Sequence, residues 1–146
     1  MPIPQSRGPE RRRRHPMNTA TTITYGDMVM LDADGMARVA AALASNLGVV
    51  GIAAETVTNS GADGASYIEV IEGEFLLAGT TLEQADVGQP VYAESASTVD
   101  ETAGANEPIA GILTEFVSAS QGWVAMSLVQ NRILGLGCLL YTSRCV

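Results

Sequence analysis

The stretch Tyr67-Ile-Glu-Val-Ile-Glu72 decides how the rest of the chain is read. Its side chains alternate without a break: Tyr67, Glu69 and Ile71 point one way, Ile68, Val70 and Glu72 the other, as a pleated strand requires. Gly73 is expected to bend the chain before Glu74 to Ala78 continues it. Downstream, Thr81 to Asp86 predicts a short helical turn capped by Thr81 and ended by Gly88. Gln89 to Ala93 reads as a strand that Pro90 places at an edge or a strand start. Thr98 to Val99 adds a short strand, and Ile109 to Val117 with Gly122 to Val129 predicts a closing antiparallel pair around Ser118 to Gln121. Upstream, Leu47 to Thr56 reads as a buried strand in which Gly48 and Gly51 permit a bulge or a close backbone approach. Asp27 to Leu31 and Met36 to Ala40 flank Asp32-Ala-Asp-Gly35, a hairpin turn with Asp-Gly supplying positive φ. Ala41 to Asn46 is expected as loop and Asn59 to Gly64 as a turn cluster. About eight strands at spacings near ten residues predict an all-β fold, a small antiparallel β-sandwich or β-barrel with one short helical turn. Runs apolar on both faces, such as Val49 to Ala54 and Ile109 to Leu113, exceed what a one-sided sheet needs, so they line a barrel interior or a subunit interface.

The charge is distributed unevenly. Between Met17 and Asn131 there is no histidine, cysteine or lysine, and Arg38 stands alone against fifteen acids, a net charge of −14. Such a body repels phosphates and is drawn to basic protein surfaces. Solubility, or adaptation to a salty environment, explains the same composition, and the two readings coexist. No apolar run approaches the roughly 20 residues that a membrane-spanning helix needs, and the basic start leads into no apolar signal region.

The residues that could carry chemistry fit plainer roles. Asp32 to Gly35 resembles the opening of a calcium loop, but the twelfth position is Leu43 where a bidentate Glu is required. Glu69, Glu72 and Glu74 could be read as paired glycosidase acids, yet alternation sets Glu69 opposite to Glu72. Gly61 to Gly64 is too short and too acidic to cradle phosphate. Ser66 and Ser127 have no histidine or lysine in the body to activate them. Glu72-Gly-Glu74 suggests a lipoyl- or biotinyl-type hairpin, but attachment needs a lysine. Trp123 is expected as a core or interface anchor, with a sugar-stacking platform as the sharper alternative. The expectation is therefore no enzyme: no catalytic, cofactor-binding or metal-binding residue is assigned.

Both ends differ from the body. Residues 1–16 hold four prolines and the run Arg11 to Arg14, which predicts a disordered basic leader. Either the gene start is over-extended and Met17 opens the protein, or the leader is a basic arm for nucleic acid. Residues 17–131 form the expected β domain and 132–146 a non-native tail. Cys138 to Val146 back-translates as TGT CTC TTA TAC ACA TCT AGA TGT GTA, which looks like the transposase mosaic end of sequencing libraries joined to its reverse complement. This makes 138–146 an expected assembly artefact, and no disulfide or metal site is argued from Cys138 and Cys145. The rival reading is a short natural apolar tail with a reactive thiol.

In order along the chain stand Gly48-Val-Val-Gly-Ile-Ala53, Val70-Ile-Glu-Gly-Glu-Phe-Leu76, Ala85-Asp-Val-Gly-Gln-Pro-Val-Tyr-Ala93, Pro108-Ile-Ala-Gly-Ile-Leu113 and Gly122-Trp-Val-Ala-Met126. Through these strands, Val49 to Val129 resembles the bacteriophage head decoration, or capsid cement, proteins. The resemblance implies a small β-barrel or sandwich on the outside of an icosahedral head, often trimeric, with the major capsid protein as partner and no catalytic residues. Many weak contacts repeated over a lattice would supply cohesion by avidity, and an acidic face would orient docking on a basic shell. The expected location is the virion, assembled in the host cytoplasm. There is no membrane partner, and nucleic acid is a partner only if the basic leader is real. The alternative is a β-sandwich module of a phage tail or fibre that recognises carbohydrate or a cell surface.

Overall fold

The computed structural model describes residues 4–140, with only the backbone of 137–140. Eleven strands precede one α-helix: β1 (Ser6–Pro16), β2 (Thr21–Ile23), β3 (Met28–Leu31), β4 (Ala37–Val39), β5 (Val49–Ala53), β6 (Val57–Asn59), β7 (Tyr67–Thr80), β8 (Pro90–Ala93), β9 (Thr98–Asp100), β10 (Ile109–Ser118), β11 (Gln121–Met126) and α1 (Leu128–Leu140). The fold is all-β in class, as expected, and α1 is an addition to the short turn Gln84–Asp86.

β7 organises everything else. Its 14 residues extend about 45 Å at strand rise, long enough to serve four partners. β1 runs along Tyr67 to Phe75, β5 pairs at Val70 and Ile71, β11 along Gly73 to Ala78, and β9 at Ala78 to Thr80. From β7 the hydrogen bonds pass through β9, β8, β10 and β11 and return to β7, closing a five-stranded barrel. All these pairings are antiparallel except β7–β9, which is parallel. β5, β3 and β4 extend the sheet, and β2 and β6 form a separate ribbon. Gly73 does not interrupt β7, which continues through it from Tyr67 to Thr80.

Two cores explain the runs that are apolar on both faces. Phe75, Leu77, Val91, Val99, Leu113 and Val124 fill the barrel, joined by Met28, Met30, Val49 and Ile52. On the opposite face of β3, β5 and β7 lie Val29, Leu31, Val50, Ile68 and Val70, covered by Met17 and Ile23, with Val57 and Leu128 packed alongside. β5 therefore buries both its faces within one chain and needs no subunit partner to do so. Gly51 makes this possible. Its φ of +156° lies where side chains rarely go, and a Cβ there would stand 2.6 Å from the Ile71 carbonyl oxygen. The β3–β5 register slips at this point, producing the bulge the sequence suggested.

Both ends depart from expectation. Residues 6–16 are not disordered but form β1, antiparallel to β7. Prolines and like charges favour disorder only where no counter-charge awaits them, and here it lies on β7. Gly122 to Val129 is not strand throughout; β11 ends at Met126. Ser127 then caps a helix, its Oγ accepting the Gln130 N–H at 3.1 Å. α1 crosses the boundary set at Asn131, so residues 132–137 continue a helix begun within the domain. Asn131, 1% exposed, fastens it by donating from Nδ2 to the Val49 carbonyl at 2.7 Å and the Ala110 carbonyl at 2.9 Å. Of the expected artefact 138–146, residues 141–146 lie outside the described residues. The short turn is capped at Glu83 and not at Thr81, with the Glu83 N–H donating to Asp86 Oδ2 at 2.8 Å.

Asn131→Ala removes two buried hydrogen bonds and is expected to lower stability by about 2–3 kcal/mol. A fall in the urea midpoint at unchanged slope is the readout; an unchanged midpoint would mean that α1 is not fastened to the barrel.

Candidate interaction surface

The described residues with the most concentrated polar chemistry line the pairing of β1 with β7. Register places β1 arginines across from, or diagonal to, β7 carboxylates on the same face. Arg7 Nε and Nη2 donate to Glu74 Oε1 and Oε2 at 2.9 and 3.2 Å, a two-pronged contact. Its Nη1 reaches Glu115 on β10 at 2.9 Å, and its guanidinium lies 4.0 Å from the centroid of the Trp123 ring. Arg12 donates to Glu69 at 2.7 Å and Arg13 to Glu72 at 2.9 Å. Arg14 stacks over Tyr67 at 5.5 Å.

Between Arg7 and Arg11 the register slips: residues 8–10 bulge away from β7, with Gly8 at φ +77°. Gly73 leaves room beneath, since a Cβ there would sit 3.3 Å from the Pro9 carbonyl oxygen. The bulge and the start of α1 enclose an open groove of about 490 Å³ lined by Arg7, Arg11, Arg13, Glu72, Val129 and Gln130, among others. Glu72 joins the two elements. Buried to 5% exposure, its Oε2 accepts from Arg13 and also from the Leu128 N–H at 3.0 Å, at the amino end of α1.

Electrostatics follow from these contacts. The Arg7 guanidinium holds the Glu74 carboxyl below its usual range, against an opposing effect of burial and with help from the Thr114 hydroxyl. Glu74 in turn raises Arg7. Burial lowers His15, Glu72 opposes that, and Arg13 adds to it; among the described residues His15 Nε2 has no hydrogen-bond partner.

The residues weighed for chemistry are thereby placed. Glu69, Glu72 and Glu74 are each held by an arginine of β1 and do not form an acid–base pair. Asp32 builds a turn: its Oδ1 accepts the Asp34 and Met36 N–H groups at 3.0 Å, and Oδ2 accepts from Arg38 at 3.0 Å. Burial pushes Asp32 up, but the Met36 N–H, Arg38 and the Asp34 N–H outweigh it and hold the carboxyl below its usual value. Trp123 is 8% exposed and covered by Arg7, so its ring is not an open sugar platform. The sequence reading missed β1 itself; its usable signal was a run of arginines ahead of a strand carrying three glutamates within six residues. Among the described residues no helix is long and apolar enough to cross a membrane.

No protein-family model matches this sequence, and no curated protein matches it. The fold is similar to that of a chain in the solved structure "The capsid of Myoviridae Phage XM1", with 21% identity and a TM-score of 0.53 over 87% of this chain and 90% of that one. At that identity the likeness is one of fold.

Two outcomes test the pairing. Arg13→Ala leaves the buried Glu72 with one partner of two and is expected to cost about 2–3 kcal/mol, read as a lower denaturation midpoint; Arg11→Ala, at an exposed arginine with no ion pair among the described residues, is expected to change it little. Acid is expected to weaken the fold in two stages, read as the denaturation midpoint against pH. His15, lowered from 6.5, contributes stability that is full above that value and falls as the pH drops below it. Glu74 and Asp32, lowered from 4.5 and 3.8, contribute stability that is full above those values and is lost as pH falls through their lowered ones. His15→Phe is expected to abolish the first stage only, and an unaltered pH profile in that variant would assign the stage elsewhere.

Proposed function

We propose that this chain is a virion structural protein that binds the outer surface of a phage head and stabilises the capsid lattice without catalysis. The observation that carries the reading is the fold shared with a chain of a phage capsid across nearly the whole length of both. The strand motifs of the decoration proteins support the narrower assignment to a decoration role.

The chemistry of the surface agrees with adhesion. Glu83, Asp86, Glu94, Asp100, Glu101 and Glu107 follow one another with no basic residue between Arg38 and Arg132, and none of the six takes part in an ion pair among the described residues. Hydrogen bonds from Thr80 to Glu94 and from Thr81 to Glu101 gather part of this charge at the end of β7. A basic patch on a major capsid protein is the partner such a surface would meet, with electrostatics orienting the encounter and repetition over the lattice supplying cohesion. The same reading includes self-association, as trimers, on the head.

The test is co-sedimentation of the purified chain with expanded empty phage heads. Saturable binding that weakens as salt rises is expected. No binding at any salt concentration would overturn the reading.

A further inference from the structure

β1 is attached to this protein in an unusual way. Neither hydrophobic core contains a residue of it; the barrel core and the outer core begin, in chain order, at Met28 and Met17. Among the described residues its backbone ladder is with β7 alone. What holds it is a strand ladder, the buried His15, the charges of Arg7, Arg12 and Arg13 on Glu74, Glu115, Glu69 and Glu72, and the stacking of Arg7 on Trp123 and Arg14 on Tyr67. The strand is paired up to its junction with the body: Pro16 lies opposite Tyr67, and the Met17 N–H donates to the Ser66 carbonyl at 2.9 Å. An arm of 11 residues can extend about 36 Å from that junction.

We propose that β1 is an exchangeable strand, and that its second receptor is the β7 edge of another copy of this chain. Charge argues for this occupant. Residues 17–131 carry −14, so two bodies brought together repel each other unless a counter-charge lies between them. β1 carries five arginines against Glu10 and its receptor lies on every copy. Moving β1 from its own β7 to a neighbour's preserves each ion pair and every ladder hydrogen bond. It also places a basic strand across the junction of two acidic bodies. Because the bonds exchanged are identical, the balance is set by copy density, as in other strand exchanges between identical protomers. The closed form dominates in dilute solution and the linked form in a crowded array.

The experiment uses the full chain with Cys138 and Cys145 replaced by serine, in solution and without phage heads, so its failure is distinct from failure of head binding. Arg14 and Glu69 are direct partners in the β1–β7 register, close enough across a strand pair for a disulfide. A chain carrying both Arg14→Cys and Glu69→Cys is expected to oxidise within itself when dilute. Chains carrying only one of the two, mixed at high concentration and oxidised, are expected to form a mixed disulfide dimer. Its yield should be at least fivefold above that of Arg14→Cys mixed with Glu101→Cys. An internal disulfide in the double variant with no excess in the mixture overturns exchange. Absence of the internal disulfide overturns the strand register on which exchange depends.

Discussion

Three arginines of an amino-terminal strand meet three glutamates of the longest strand in the protein, and most of what is unusual about the molecule follows from that meeting. The glutamates lie on a strand that also closes the barrel and supports the second core. Without β1, Glu72 would face a nearly dry environment holding only the Leu128 N–H. A buried charge with one partner removed is costly, so the arginine strand and the acidic strand constrain each other. The exposed pairs, such as Arg12 with Glu69, add little singly; the Arg13–Glu72 contact and the two-pronged Arg7–Glu74 contact fix the register.

The same meeting occupies the polar residues of β7. Carboxylates clustered on one strand invite a search for acid–base chemistry, but general acids and bases need a free proton site and room for substrate. Here the carboxylates are occupied by guanidinium groups, Trp123 is covered by Arg7, and Asp32 is consumed by its own turn. Arg7, Arg12 and Arg13 are in the same way engaged by protein acids. The surface left over is acidic and suited to adhesion.

Much of the architecture was legible in the chain. The Asp32–Gly35 hairpin, the Gly51 bulge, Pro90 at a strand start and the β10–β11 pair each depend on residues within one turn or one strand. Less legible were β2 and β6, three residues each, whose Thr-rich and Asn-containing sequences look like loop until they pair. α1 was read in part as strand because Leu128 and Val129 continue an apolar run; only the bond from Leu128 to distant Glu72, together with the Ser127 cap, turns it into helix.

Local pattern thus determined the class of the fold and its turns, because period and positive φ are properties of short segments. Tertiary structure alone decided that the leader is a strand, that β5 is buried on both faces by its own chain, and that the acids of β7 are spoken for. Arg7 and Glu74 are 67 positions apart and Arg13 and Glu72 are 59. Coulomb attraction acts on distance in space, which a sequence does not contain until the chain has folded.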